Sequence, residues 1–197
     1  MKKLRSIESV AHLKGMRVLV RVDFNVPIQN GRVTDEYKIS QALPTIEYLV
    51  KKGARVILVS HLGRPKGAEK SLSLLPVCKH AEKLLGHKIE FLDTTKTGEL
   101  PIIARKIDSL VDGSVVMLQN IRFFKEERDN DKTFAKKLAG LADIFVSECF
   151  AVTHRSAPSI SGVCKYVPSY AGLLLLKEIN VLSNVMQKPK RPLVVIL

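Results

Sequence analysis

The chain has 197 residues, of which 46% are hydrophobic and 26% are charged. This composition excludes a disordered or fibrous protein, and the length suits one sizeable domain with an attachment. Lysine and arginine number 32 against 19 acidic residues, so the formal net charge is +13. A surface of this charge attracts anions, whether nucleic acid, an acidic membrane surface or phosphorylated small molecules.

Short apolar runs alternate with longer segments of helical spacing, which is typical of β-α-β units around a parallel sheet. In chain order, the runs predict strands over 17–22, 55–60, 88–92, 114–118 and 144–147. The segments between them predict helices over 39–52, 72–85, 101–110 and 132–141. Gly53, Gly86 and Gly140 stand at or near the ends of these segments, where glycine commonly terminates a helix.

The pattern changes after the fifth strand. A loop rich in serine and proline leads to one long amphipathic helix predicted over 171–188, and LVVIL at 193–197 is a sixth strand-like run. Because a buried strand needs neighbours to cover it, we expect a second domain to follow. The predicted division is therefore a first domain over 1–170, an interdomain helix over 171–190, and the first strand of another domain over 191–197.

Polar side chains follow four of the predicted strands. They are Asp23 and Asn25, then His61 and Arg64, then Asn120 and Arg122, and finally His154 and Arg155. Because parallel strands end at a common edge, where open sheets bind ligands, we expect these turns to meet. Arginine has a planar fork that matches carboxylate or phosphate, and several arginines at one edge would repel one another without an anion. The sequence therefore predicts an anion site.

Each turn also has a plainer structural interpretation. Asp and Asn satisfy backbone donors in strand-ending turns, a buried histidine is commonly a satisfied core group, and scattered lysines commonly lie on solvated helix faces. A second functional hypothesis is a non-catalytic basic module that binds nucleic acid or another polyanion. The low aromatic content of 6%, without basic and aromatic residues interleaved, argues against that module.

Several common signatures are missing from the sequence. Neither glycine-rich phosphate loop, G-x-x-x-x-G-K-[ST] or G-x-G-x-x-G, occurs, so an anion would be held by side chains. The five histidines and three cysteines show no metal-ligand spacing, and the cysteines suit reduced thiols. No leader peptide or membrane-length apolar run is evident. We therefore expect a cytoplasmic protein without a metal or a membrane partner.

Five ordered segments, RVDFNVP, ALPTIEYLVKKGARVILVSHLGRP, NIRF, THRS and KRPLVVIL, resemble the amino-terminal half of phosphoglycerate kinases over essentially the whole chain. The resemblance implies a three-layer αβα Rossmann-like domain with a mainly parallel six-stranded sheet. It also implies a cytoplasmic, monomeric glycolytic enzyme whose first domain binds 3-phosphoglycerate or 1,3-bisphosphoglycerate. A second domain would bind Mg-ADP or Mg-ATP, and neither nucleic acid nor a membrane would be a partner.

The resemblance also assigns roles to residues. Those that would bind substrate are Asp23, Phe24, Asn25, Lys38, His61, Leu62, Gly63, Arg64, Arg122 and Arg155. Lys38 would have the catalytic role of stabilising charge on the transferring phosphoryl group, at a position where the family has arginine. A lysine keeps that charge but loses the fork that matches phosphoryl oxygens.

Other residues depart from the family pattern. Gln119 stands where the family usually has glutamate, SECFAVTHRSAPS replaces the usual NDAFGTAHRAHAS, and Ala151 replaces a glycine within it. These departures leave substrate binding better supported than turnover. We expect the 197-residue chain by itself to bind 3-phosphoglycerate weakly and to transfer no phosphoryl group.

Overall fold

A computed structural model describes residues 4–194 of the chain. Its strands are β1 (Arg17–Val22), β2 (Ile28–Gln29), β3 (Arg32–Val33), β4 (Arg55–Val59), β5 (Ile89–Leu92), β6 (Val115–Leu118), β7 (Ile144–Glu148) and β8 (Ser169–Ala171). Its α-helices are α1 (Tyr37–Lys51), α2 (Leu75–Leu85), α3 (Leu100–Asp108), α4 (Lys125–Arg128), α5 (Lys132–Ala139) and α6 (Leu173–Gln187). Within this range, six strands form one parallel sheet in the order β5-β6-β4-β1-β7-β8, and β2 pairs with β3 as an antiparallel hairpin.

Helices cover both faces of the sheet, which confirms the predicted three-layer αβα fold. Along β1, Val18 and Val20 belong to the core shared with α1 and α2, whereas Leu19 belongs to the core shared with α3 and α5. In β4, Val56 and Ile57 divide in the same way between the two faces. Strands that are buried on both faces have nearly continuous apolar sequences, which is why the sequence pattern located them.

The sequence pattern did not locate the sixth strand of this sheet, because it assigned the strand-like run over 193–197 to a second domain. Residues 169–171 pair with β7 as the edge strand β8, and α6 begins at Leu173 instead of at residue 171. A strand of three residues inside a loop is too short to show a period. Of the predicted strand over 193–197, residues 193 and 194 lie in no strand, and 195–197 fall outside the described residues. The division into domains stays a prediction.

The other predicted elements agree with the structure to within three residues at each end. The largest difference is at α2, because a 3₁₀ turn over Lys70–Leu72 precedes the helix that was predicted to begin at residue 72. Gly86 ends α2 in the left-handed conformation, with φ of 62°, as expected for a glycine cap. Gly140 ends α5 with φ of −63°, so that end does not use the conformational freedom of glycine.

The junction between the sheet and α6 depends on Glu148, which is only 1% exposed at the end of β7. Its carboxylate accepts hydrogen bonds from the Thr45 hydroxyl, from the Leu174 N–H at 3.0 Å and from the Leu175 N–H at 3.3 Å. The Thr45 hydroxyl oxygen in turn accepts from the Leu173 N–H at 2.9 Å. Helix amides at this end have no partner within the helix, so two side chains from β7 and α1 cap α6. Burial raises the pKa of Glu148.

This junction makes Gly172 a sensitive position, because an added Cβ there would overlap the Glu148 carboxylate. We expect Gly172→Ala to lower the free energy of unfolding by about 1–3 kcal/mol, the usual cost of overpacking. Denaturant unfolding measures it. Gly98→Ala is the matched control, since Gly98 has open space around its Cα and the change should be neutral or slightly stabilising. Equal loss in both variants would contradict the close packing at the junction.

Candidate anion-binding site

Five arginine side chains line one cavity at the carboxyl edge of the sheet. The cavity has a volume of about 430 Å³, and the arginines are Arg21, Arg64, Arg122, Arg128 and Arg155. Arg21 lies on β1, Arg64 follows β4, Arg122 follows β6 and Arg155 follows β7. Because these parallel strands end at the same edge, loops far apart in the sequence bring positive charge to one space. The structure thus brings together the three arginines that were predicted to bind an anion, Arg64, Arg122 and Arg155.

Arg21 is the most deeply buried of these arginines, with 2% of its surface exposed. Its Nη1 donates to the Val22 carbonyl at 2.5 Å, its Nε donates to Ser159 Oγ at 3.2 Å, and its Nη2 lies 3.1 Å from His61 Nδ1. A guanidinium has five N–H groups, so three such contacts leave two for a ligand. The head of Arg21 is therefore held in place while part of it still faces the cavity.

His61 is only 3% exposed and does not line this cavity itself; its Nδ1 lies against Arg21, which does. Burial, followed by the positive charges of Arg21, Arg122 and Arg155, lowers the pKa of His61 to about 2. The imidazole is therefore neutral at physiological pH. It was expected to bind an anion, and a neutral ring could do so only by donating a hydrogen bond.

The loop after β4 is tied to its neighbours through Gly63. The Gly63 N–H donates to Asn25 Oδ1 at 2.9 Å, and its carbonyl accepts from Arg122 Nη1 at 2.6 Å. Gly63 has φ of 61°, and an added Cβ would lie 2.9 Å from Leu72, so a larger residue would strain the turn that presents Arg64. Asn25, predicted to contact the ligand, thus uses its side-chain oxygen to hold this loop.

In the turn after β1, Phe24 is part of the core, whereas Asp23 faces a second cavity. Phe24 is fully buried, and its N–H donates to Ser60 Oγ at 2.9 Å. Asp23 accepts from Lys38 Nζ at 2.9 Å, and both residues line a neighbouring cavity of about 470 Å³ beside α6. The structure therefore does not bring Lys38 into the lining of the arginine cavity. Leu62, also predicted, is buried, and its N–H donates to Asn120 Oδ1 at 3.3 Å.

Two buried amides after β6 support the loops that carry the arginines. Asn120 Oδ1 accepts from the Arg122 N–H at 3.1 Å, and its Nδ2 donates to the Leu62 carbonyl at 2.8 Å. Gln119 accepts from the Asn120 N–H at 2.8 Å, and its Nε2 donates to Asp93 at 3.0 Å. An ionised glutamate has no N–H to donate to a carboxylate. The glutamine at position 119 is therefore the residue that suits its neighbour Asp93 in this chain.

The positive charges of the arginines lie close enough together to affect one another's pKa values. Burial lowers the pKa of Arg122, and the charges of Arg155 and Arg21 lower it further. One carboxylate, that of Glu127, also lies in the cavity wall, and burial raises its pKa. Five guanidinium groups against one carboxyl group leave the cavity strongly positive. An anion with more than one negative charge would relieve this repulsion.

Sequence reasoning missed four residues of this site: Arg21, Arg128, Glu127 and Ser159. One signal was present for Arg21, since a charge inside the apolar run VLVRV lies in a strand buried on both faces, where a charge needs partners. Nothing in the local pattern marked Glu127, Arg128 or Ser159. Their positions depend on contacts that only the folded chain creates.

The residues 4–194 hold no cluster of three or more His, Cys, Asp or Glu side chains arranged to bind a metal ion. In the same part of the chain, no helix combines the length and the apolar character that crossing a membrane would require.

Comparison with known proteins identifies the family. The family model for phosphoglycerate kinase matches residues 7–197. The phosphoglycerate kinase of Dictyoglomus turgidum is 51% identical over 185 residues, which are 94% of this chain and 46% of that relative. The enzyme of Nostoc punctiforme is 46% identical over 198 residues, covering 100% of this chain and 48% of the relative.

A solved structure agrees with these relatives. The phosphoglycerate kinase of Coxiella burnetii superposes with a TM-score of 0.84 at 35% identity, covering 96% of this chain and 47% of that one. This chain thus spans about half the length of the curated relatives that it matches. Since the family model extends over nearly every residue, and the fold is the same, the chain belongs to the phosphoglycerate kinase family.

Proposed function

We propose that the arginine-lined cavity binds 3-phosphoglycerate or 1,3-bisphosphoglycerate, and that this chain is the substrate-binding half of a phosphoglycerate kinase. The observation that supports this most strongly is the convergence of five guanidinium groups on one cavity. 3-Phosphoglycerate carries a phosphate and a carboxylate, and both match the fork of an arginine. Family membership suggests the reaction, a reversible phosphoryl transfer between 1,3-bisphosphoglycerate and ADP in glycolysis.

Different side chains would serve different parts of this ligand. Arg64, Arg122 and Arg155 would hold the phosphate and carboxylate oxygens, and Arg21 would add its two remaining N–H groups. Asp23 is suited to a ligand hydroxyl group, because a carboxylate accepts a hydrogen bond but repels a phosphate. The neutral His61 would donate one hydrogen bond without adding charge.

Phosphoryl transfer needs no protein nucleophile, since positioning and charge stabilisation account for most of the catalysis. Lys38 is our candidate for stabilising charge on the transferring group from this half. In the structure its ammonium pairs with Asp23, so ligand binding would have to exchange that partner for phosphoryl oxygens. A magnesium nucleotide, which the resemblance assigns to the other half of the relatives, supplies the donor or acceptor. A cytoplasmic location and a monomeric state also stay predictions.

We expect calorimetry to detect binding of 3-phosphoglycerate to the parent chain and binding about 10- to 100-fold weaker to Arg64→Ala. The variant loses one charge-assisted hydrogen bond to the ligand, worth about 1.5–3 kcal/mol. Arg64 is exposed and donates no hydrogen bond that the fold requires among the described residues, so the variant should remain folded.

Arg105→Ala is the matched control, because it removes the same charge from α3, outside the cavity lining. Equal weakening by both substitutions would show that only net charge matters and would contradict this site. Tight binding of random-sequence DNA that falls steeply with salt, without binding of 3-phosphoglycerate, would favour the polyanion-binding alternative.

The chain by itself should not catalyse transfer. With ATP, magnesium and 3-phosphoglycerate, we expect a coupled assay to show no turnover above background, because the family's nucleotide-binding part is assigned by resemblance to the half that this chain does not span. Robust turnover by the purified 197-residue chain would refute this assignment.

A further inference from the structure

Behind the cavity, four buried side chains form a continuous line of hydrogen bonds. Glu127 Oε1 accepts from Ser159 Oγ at 2.6 Å, and Glu127 Oε2 accepts from the Ser159 N–H at 3.0 Å. Ser159 Oγ accepts from Arg21 Nε at 3.2 Å, and Arg21 Nη2 lies 3.1 Å from His61 Nδ1. All four residues are at most 6% exposed. The line therefore runs from a carboxyl group on α4 to the imidazole beside the anion site.

The chemistry of these groups allows one arrangement of hydrogens with an ionised Glu127. A guanidinium only donates, so His61 Nδ1 must accept and carries no proton. The neutral ring then bears its proton on Nε2. At the other end, Ser159 Oγ receives the Arg21 proton and directs its own proton to Glu127. In each contact of the line, one group can therefore only donate and the other can only accept.

We propose that Ser159 and Glu127 are positioning residues, which hold the Arg21 guanidinium and thereby keep His61 as the tautomer that donates from Nε2 to a bound anion. This inference rests on the proposed function, since it states how that site keeps a neutral donor. Without Arg21 on Nδ1, a neutral imidazole would be free to exchange its proton between the two nitrogens. It would then present a lone pair to the anion for part of the time.

The placement of Glu127 supports a positioning role. The charge of a carboxylate in the wall of an anion cavity would oppose anion binding, so Glu127 is not suited to contact the ligand. Both of its oxygens instead accept hydrogen bonds from Ser159. The charged groups that act on His61 are Arg21, Arg122, Arg155 and Lys38, all of them positive. Together with burial they keep the ring neutral, so its tautomer decides whether it attracts or repels the ligand.

The test compares Ser159→Ala with Ser161→Ala, an exposed serine in the same short helical segment. Long-range ¹⁵N NMR distinguishes a protonated ring nitrogen from an unprotonated one, and His61→Gln identifies the His61 signals among the five histidines. In the ligand-free parent, we expect a proton on Nε2 only. Ser159→Ala should move both ring signals toward the average of two tautomers and weaken binding of 3-phosphoglycerate about tenfold. Ser161→Ala should match the parent.

A parent His61 protonated on Nδ1, or Ser159→Ala with parent signals and parent affinity, would overturn the inference. Should Ser159→Ala fail to fold, Glu127→Gln decides, because its amide keeps the shape but loses one acceptor for Ser159. We expect that variant to shift the His61 signals, although Glu127 does not touch the ring. Unchanged signals would count against a positioning role for Glu127. If the parent binds no 3-phosphoglycerate, the proposed function fails. The His61 tautomer of the free protein still tests whether Ser159 and Glu127 position Arg21 and His61.

Discussion

The structure around the cavity depends on how like charges are held close together. Guanidinium groups that share a partly buried space repel one another: burial lowers the pKa of Arg122, and the charges of Arg155 and Arg21 lower it further. Their positions are set by neutral acceptors of the protein: Arg21 donates to the Val22 carbonyl, Arg122 donates to the Gly63 carbonyl, and Arg128 donates to the Phe123 carbonyl at 3.1 Å. Backbone carbonyls orient the cations without neutralising them. The arginines are therefore held in place without a ligand, and their charge would remain available to an anion that entered the cavity.

This arrangement explains why several residues that were predicted to bind the ligand instead hold the loops that carry the arginines. Asn25 and Asn120 were chosen from the sequence as polar groups at strand ends, yet their side chains hold the Gly63 and Leu62 backbone. The backbone of a loop at the edge of a sheet does not take part in the hydrogen bonds between strands, so its N–H and C=O groups need side-chain partners. The arginines that such loops present are only as well placed as those partners allow. Residues beside a cavity thus divide into those that face a ligand and those that hold the ones that do.

Two neighbouring cavities share the edge of the sheet. One is lined by arginines, and the other by Asp23, Lys38 and one side of α6 between residues 174 and 182. In the Lys38–Asp23 ion pair, 46% of the Lys38 side chain is accessible, so solvent weakens the pairing. Such a contact is exchangeable in a way that the buried Arg21 contacts are not. The difference suits a lysine that changes partner and an arginine that stays in place.

The sequence alone determined the αβα fold, the bounds of five strands and five helices to within three residues, and the loops that carry Arg64, Arg122 and Arg155. It could do so because these features depend on local periodicity and on the common edge of parallel strands. Only the tertiary structure decided the edge strand β8, the pairing of Lys38 with Asp23, and the line from Glu127 to His61. Arg21 and Ser159 are separated by 138 positions in the chain. A hydrogen bond between them leaves no local pattern, because it forms only where distant segments pack together.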